Sequence, residues 1–203
     1  VSVADLLGRA HSGIAAYGSG GFTSYSIDEL KRQLACWTQQ GMWSVKMKIG
    51  RDPAADIARV RAAREAIGPE AELFVDANGA YSRKQALAKA DAFSDLGVSW
   101  FEEPVSSDDL EGLRLLRDRA PAGMRITAGE YGYNLPYFRR ILEAGAVYVL
   151  QADATRCTGI PGFLAAGELC EAFSVPFSAH TTPSLHAPAA CAVPTVKRQG
   201  LKR

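Results

Sequence analysis

AELFVDANGAYSRKQALAKADAFSDLGVSWFEEP, residues 71–104, holds one full period of the pattern from which this chain is built. Leu73-Phe74-Val75 is a short apolar run that closes on Asp76, and it predicts a strand over 72–76. Asp-Ala-Asn-Gly then signals a turn. Ser82 and Gln85 have the spacing of a capping box, so a helix is expected to about Leu96, with Leu87, Ala90 and Phe93 as its buried stripe. The next strand is expected at Ser99–Glu102, halted by Pro104.

The same period extends in both directions. Lys48, Asp76, Glu102, Glu130, Asp153 and His180 each close a short apolar run (VKMK, LFVD, WFE, ITAGE, VLQAD, PFSAH), at intervals of 23 to 28 residues. A strand with its return helix takes roughly 30 residues, so the unit is β-then-α with one ionisable group at each strand's carboxyl end. Strands are expected at Gly13–Tyr17, Val45–Ile49, Glu72–Asp76, Ser99–Glu102, Arg125–Ala128, Val147–Gln151 and Pro176–Ala179. Helices are expected at about 26–40, from Asp52-Pro53 to Gly68, then at 82–96, 108–117, 135–144, 162–173 and 185–192.

Alternation of this kind means α/β with a parallel sheet. A doubly wound sheet places its ligand at one switch point and needs a glycine-rich first turn. Six ionisable strand ends are useful together only around a common centre, which a (β/α)8-type TIM barrel provides. The count reaches about seven βα units, so the barrel is expected to be incomplete. Thr195–Arg203 (TVKRQGLKR) has four basic residues in nine and no strand alternation, and is read as a basic disordered tail. Residues 13–194 are then the partial barrel, and 1–12 a linker remnant from a missing capping domain.

Composition narrows the class. A chain of 203 residues, 47% hydrophobic, has enough apolar content for a full core, and a net charge of +1 argues against broad capture of nucleic acid or anionic membrane. No run of eighteen apolar residues occurs, so no membrane span is expected. Cys36, Cys157, Cys170 and Cys191 are far apart with no CxxC pair, which fits reduced thiols and a cytoplasmic setting. The chain opens at Val1 without a basic-then-apolar leader, so no signal peptide is expected.

Asp76, Glu102 and Glu130 end successive strands, and three carboxylates at one mouth repel unless a cation holds them. Oxygen-only ligands suit Mg²⁺. Lys46 and Lys48, two residues apart on one strand, point to one face. Two ammonium groups so close should lower each other's proton affinity, leaving a lysine able to act as a base near neutral pH. Asp153 beside His180 would fix the imidazole tautomer and make an acid/base pair. His11 and His186 have no such partner in the sequence and are read as structural.

The KMK strand, VDANG, FEEP, AGE, DATRCTGIPG and SAH, in this order, resemble the barrel domain of the enolase superfamily, in its mandelate racemase-like branch, over about Tyr17–Pro194. The resemblance implies that Asp76, Glu102 and Glu130 hold Mg²⁺, with Glu103 behind Glu102. It implies that Lys48 is the base on one face of the substrate with Lys46 tuning it, and that His180, paired with Asp153, works on the other face. Asn78 lines the site, and Tyr17 is a further candidate substrate contact. The implied reaction removes the proton α to a carboxylate through an enediolate, giving an acid-sugar dehydratase or, alternatively, a racemase or epimerase. A truncated non-catalytic remnant is the third reading, and an open barrel edge would favour a homo-oligomer. Thr158 stands where the family usually has glycine, and Gly18-Ser19-Gly20-Gly21 is read as a barrel-mouth loop.

Overall fold

The computed structural model describes residues 1–201, and the chain falls into two compact units, Tyr17–Ile126 and Val1–Ala16 with Thr127 onward. In chain order the elements are α1 (Val3–Leu6), β1 (Ala16–Gly20), α2 (Ile27–Gln39), β2 (Ser44–Lys48), α3 (Asp56–Ile67), β3 (Glu72–Asp76), α4 (Arg83–Ser94), β4 (Val98–Glu102) and α5 (Leu110–Arg119). They continue with β5 (Arg125–Ala128), α6 (Leu135–Glu143), β6 (Val149–Ala152), α7 (Gly159–Ala172), β7 (Phe177–Ala179), α8 (Pro183–Ala190) and β8 (Val196–Leu201). The alternation puts the chain in the (β/α)8-type TIM-barrel class expected from the sequence.

In the unit Tyr17–Ile126, β1 to β4 pair in parallel and in sequence order. Lys48 lies opposite Asp76, and Asp76 opposite Glu102, so three strand ends stand level. Backbone bonds at those ends continue the ladder: Ile49 N–H donates to the Asp76 carbonyl and Ala77 N–H to the Glu102 carbonyl. Both anticipated capping boxes are present, Ser26 with Glu29 and Ser82 with Gln85, and they set the starts of α2 and α4. In the other unit β5 to β8 are likewise parallel neighbours.

Three local expectations need correction. The first strand runs over Ala16–Gly20, three residues beyond the expected Gly13–Tyr17, and it takes in glycines read as a mouth loop. Packing explains this. A Cβ on Gly18 would meet the Trp37 ring of α2 at 2.5 Å, and one on Gly20 would meet Gln33 at 2.5 Å, so glycine lets α2 close onto β1. Next, α3 starts at Asp56, not at Asp52-Pro53, because Asp56 is buried and accepts from Gly50 N–H (3.0 Å) and the Tyr81 hydroxyl (2.5 Å). Asp52 instead accepts from Ala54 N–H in the turn before it.

The third correction concerns the tail. Val196–Leu201 is a strand paired in parallel with β7, with Phe177 opposite Val196 and Ala179 opposite Gln199. Net charge and lack of alternation misled here, because strand pairing is a backbone property and Val196 and Gly200 are buried beside a formed partner. β7 therefore has neighbours on both sides within its unit. Lys202 and Arg203, the rest of the expected tail, lie outside the described residues. Residues 1–12, read as a linker, include α1, which Ser2 caps through Asp5 N–H.

At the strand-start end of the first unit, one side chain ties several loops. Arg64 donates to the carbonyls of Gly68 (2.7 Å), Ala71 (2.7 Å), Leu96 (2.9 Å) and Gly97 (3.0 Å). It thereby joins the end of α3 to the entries of β3 and β4. Arg64→Met keeps the stem and strands these acceptors, so it should cost about 2 kcal/mol. A urea melt of variant against parent measures this, and an unchanged midpoint would remove Arg64 from the account.

Candidate active site and metal centre

Lys48, Asp76 and Glu102 emerge on one level from β2, β3 and β4. Asp76 and Glu102 have no solvent exposure. The Lys46 ammonium, also buried, donates to both Glu102 carboxylate oxygens at 2.6 and 2.5 Å and stands 3.6 Å from Asp76. Lys48 donates to Asp76 and, at 2.9 Å, to the Asn78 side-chain oxygen. Asn78 takes a left-handed backbone (φ 45°), which lets its own N–H donate back to Asp76 at 3.0 Å. Trp100, two residues before Glu102 and on the same strand face, donates its indole N–H to that carboxylate at 3.0 Å. Glu103 is buried in a left-handed turn (φ 40°), and its carbonyl accepts from Gly79 N–H.

These charges set one another. Burial raises the Asp76 pKa and the Glu102 charge raises it further, against Lys46 and Lys48, which lower it. That is the like-charge conflict expected of the carboxylates. Lys46 departs from expectation. Burial opposes its charge, but Glu102, Tyr17 and Asp76 together hold its pKa well above the ordinary lysine value. Its neighbours within bonding distance are carboxylates, and their attraction outweighs any repulsion by the second lysine.

The position of Tyr17 on its strand also differs from the expectation. Because β1 ends three residues later than expected, Tyr17 is not at the strand end. It is fully buried, its ring 5.5 Å from Phe74 and 6.2 Å from Trp100, with the Lys46 ammonium 5.4 Å from its centroid. Burial pushes its hydroxyl up to about 12. It therefore stands beside Lys46 within the strand and not at the strand's carboxyl end.

In the second unit, Glu130 follows β5, Asp153 follows β6 and His180 follows β7. Gly129 (φ 129°) precedes Glu130 because a Cβ there would run into the Gln151 carbonyl. His180 is buried between two carboxylates, with Nδ1 3.0 Å from Asp153 and Nε2 2.9 Å from Glu130. Asp153 also accepts from the Thr155 N–H (2.9 Å) and hydroxyl (2.7 Å). Burial alone would raise its pKa, but the His180 and Thr155 hydrogen bonds prevail and hold it at about 2. Arg156, part of the DATRCTGIPG stretch but given no role by it, donates to the Glu130 carbonyl at 3.0 Å and lies over the Tyr131 ring.

Asp76 and Glu102 are thus buried carboxylates on neighbouring strand ends of the first unit, and Glu130 is a buried carboxylate at a strand end of the second. An oxygen-only donor set fits a hard cation such as Mg²⁺. All four cysteines are free thiols, and no helix among the described residues is long and apolar enough to cross a membrane.

The family described as "Enolase C-terminal domain-like" matches residues 29–201. The chain belongs to the enolase superfamily. Among superfamily relatives it is 34% identical over 165 residues to a D-galactarolactone cycloisomerase of Agrobacterium fabrum, covering 78% of this chain and 42% of that one. Among solved structures it is similar to a mandelate racemase/muconate lactonizing enzyme-like protein from Rubrobacter xylanophilus, with TM-score 0.94, 54% identity, and coverage of 97% of this chain and 55% of that one. An L-talarate dehydratase from Polaromonas sp. JS666, complexed with Mg and L-glucarate, matches with TM-score 0.88, 30% identity, and coverage of 98% and 55%. The chain spans about half the length of the superfamily relatives it matches.

The Asp153 site makes a prediction about acid stability. Its carboxyl is depressed from 3.8 to about 2 in the fold, so its bonds stabilise the native state above pH ~4 and lose that effect as pH falls towards 2. Asp153→Asn should cost about 2 kcal/mol near neutral pH and flatten stability between those limits. Chemical denaturation at a series of pH values tests this, and a parallel curve for the variant would refute it.

Proposed function

We propose that this chain carries the proton-transfer machinery of a Mg²⁺-dependent acid-sugar dehydratase. Support for the reading rests on one observation above all: carboxylates, two lysines and an Asp–His pair stand at successive strand ends of an enolase-superfamily domain. Asp76, Glu102 and Glu130 would hold the ion, which when bound supplies stabilisation of the charge that develops on the substrate carboxylate as its α proton leaves.

The chain's own residues do the rest. Lys46 holds Glu102 from below and neutralises it, fixing the carboxylate's orientation. Lys48, partly exposed beside Asn78, takes the α proton from one face of an acid sugar. His180, oriented by Asp153, delivers a proton to a departing β-hydroxyl. Relatives bearing dehydratase names and a relative bearing a cycloisomerase name both favour hydroxylated acid substrates. Return of a proton by His180 to the α carbon would instead give a racemase or epimerase, which the products distinguish.

Mg²⁺ titration should raise the melting temperature, and the combined change Asp76→Asn, Glu102→Gln, Glu130→Gln should abolish that gain. Equal stabilisation of the variant would sink the metal assignment. With L-glucarate and a panel of aldarates and aldonates in deuterated solvent, Lys48→Ala and His180→Asn should each stop turnover of at least one epimer. Full activity in both variants would overturn the acid/base assignment, and a parent that binds Mg²⁺ yet exchanges no α proton would favour the remnant reading.

A further inference from the structure

His186, read from the sequence as structural, is fully buried on α8 against the Phe163 ring (centroids 5.2 Å apart). Both its ring nitrogens are occupied by backbone. Nε2 lies 2.7 Å from the Ala154 N–H, and Nδ1 lies 2.8 Å from the Thr181 carbonyl. An amide N–H can only donate and a carbonyl can only accept. The ring must therefore carry its proton on Nδ1 and keep a lone pair on Nε2, a neutral imidazole in one defined tautomer.

The two backbone groups are not arbitrary. Ala154 directly follows Asp153, and Thr181 directly follows His180. One side chain therefore bridges the residue after the carboxylate to the residue after the imidazole. The bridge also acts on strained backbone: Thr181 (φ 51°) and Thr182 (φ 41°) are consecutive β-branched residues in the left-handed region. Such residues enter that region at a cost and stay only where surroundings hold them. His186 grips the first through its ring and the second through its own N–H, which donates to the Thr182 carbonyl at 3.0 Å.

We propose that His186 is a positioning residue that sets the Asp153–His180 distance by clamping the loops after β6 and β7. The proposal builds on the acid/base reading of that pair, but its test reads the geometry without activity. The chain has three histidines, so long-range proton–nitrogen correlation spectra can be assigned with single variants. In the intact chain with Mg²⁺ present, His186 should show the Nδ1–H pattern, the reverse of the form free histidine favours. His186→Phe keeps the ring packing and loses both bonds, and the His180 ring signals should then move to the averaged pattern of an unrestrained imidazole. His186→Asn can still donate to Thr181 and His186→Gln can still accept from Ala154, so each should shift His180 part of the way. Backbone signals of Asp76 and Glu102 should stay in place, which separates lost positioning from general loosening.

An Nε2–H or doubly protonated His186, with its proton turned to the Asp153 oxygen 3.5 Å away, would overturn the clamp. So would His180 signals identical to the parent in the Asn and Gln variants, which decide the matter if the Phe variant does not fold. Should the clamp hold while His180→Asn leaves turnover intact, it is the acid/base reading that fails.

Discussion

A carboxylate withdrawn from water is tolerated only where positive charge or a set of donors replaces the lost solvent. Asp76 and Glu102 are wholly buried, and Lys46 answers both from within the same unit. Much of the first unit follows from that requirement. Burying Lys46 needs a floor, which Tyr17, Phe74 and Trp100 supply as a cluster of rings, and Trp100 adds an N–H to Glu102. The rings give the pair a low-dielectric setting in which its attraction is strong, and packing leaves the carboxylate little freedom to turn.

The backbone at the strand ends carries the complementary cost. Asn78, Glu103, Thr158, Thr181 and Thr182 all have positive φ without being glycine, and each lies just beyond a strand's carboxyl end or at the start of the helix after it. Thr158 caps α7 from the left-handed region with no side-chain cap bond, in the place where the family resemblance leads one to expect glycine. At Asn78 and Thr181 the strain is held by specific bonds to Asp76 and His186.

The repeat itself was legible because a strand closing on an ionisable residue leaves two signals at once, an apolar run and a fixed interval. The β3 and β5 bounds coincide with those the apolar runs predict, and the capping boxes at Ser26 and Ser82 mark their helices. What escaped lay in tertiary context. Nothing in Gly18-Ser19-Gly20 says that Trp37 will press against the strand, and without that contact the glycines read as a loop. The same contact keeps Tyr17 in the interior, where the sequence alone puts it at the mouth. Val196–Leu201 looks like a basic tail until β7 offers it a ladder. The partners of His186 are backbone groups, which no side-chain pattern reveals, whereas Trp100 two residues before Glu102 is a same-face spacing that the sequence does show.

Arg64 has a consequence beyond the loops it joins. Its acceptors, Gly68, Ala71, Leu96 and Gly97, precede the strands that end at Asp76 and Glu102. The same two strands are thus anchored at one end by a guanidinium and close on buried carboxylates at the other. The anchor keeps both strands in register whatever exposed side chains follow their carboxyl ends. Exposed positions near the strand ends can therefore vary at little cost to foldability, whereas the Arg64 anchor and the buried Lys46–Glu102 pair are where a lineage has least room to drift.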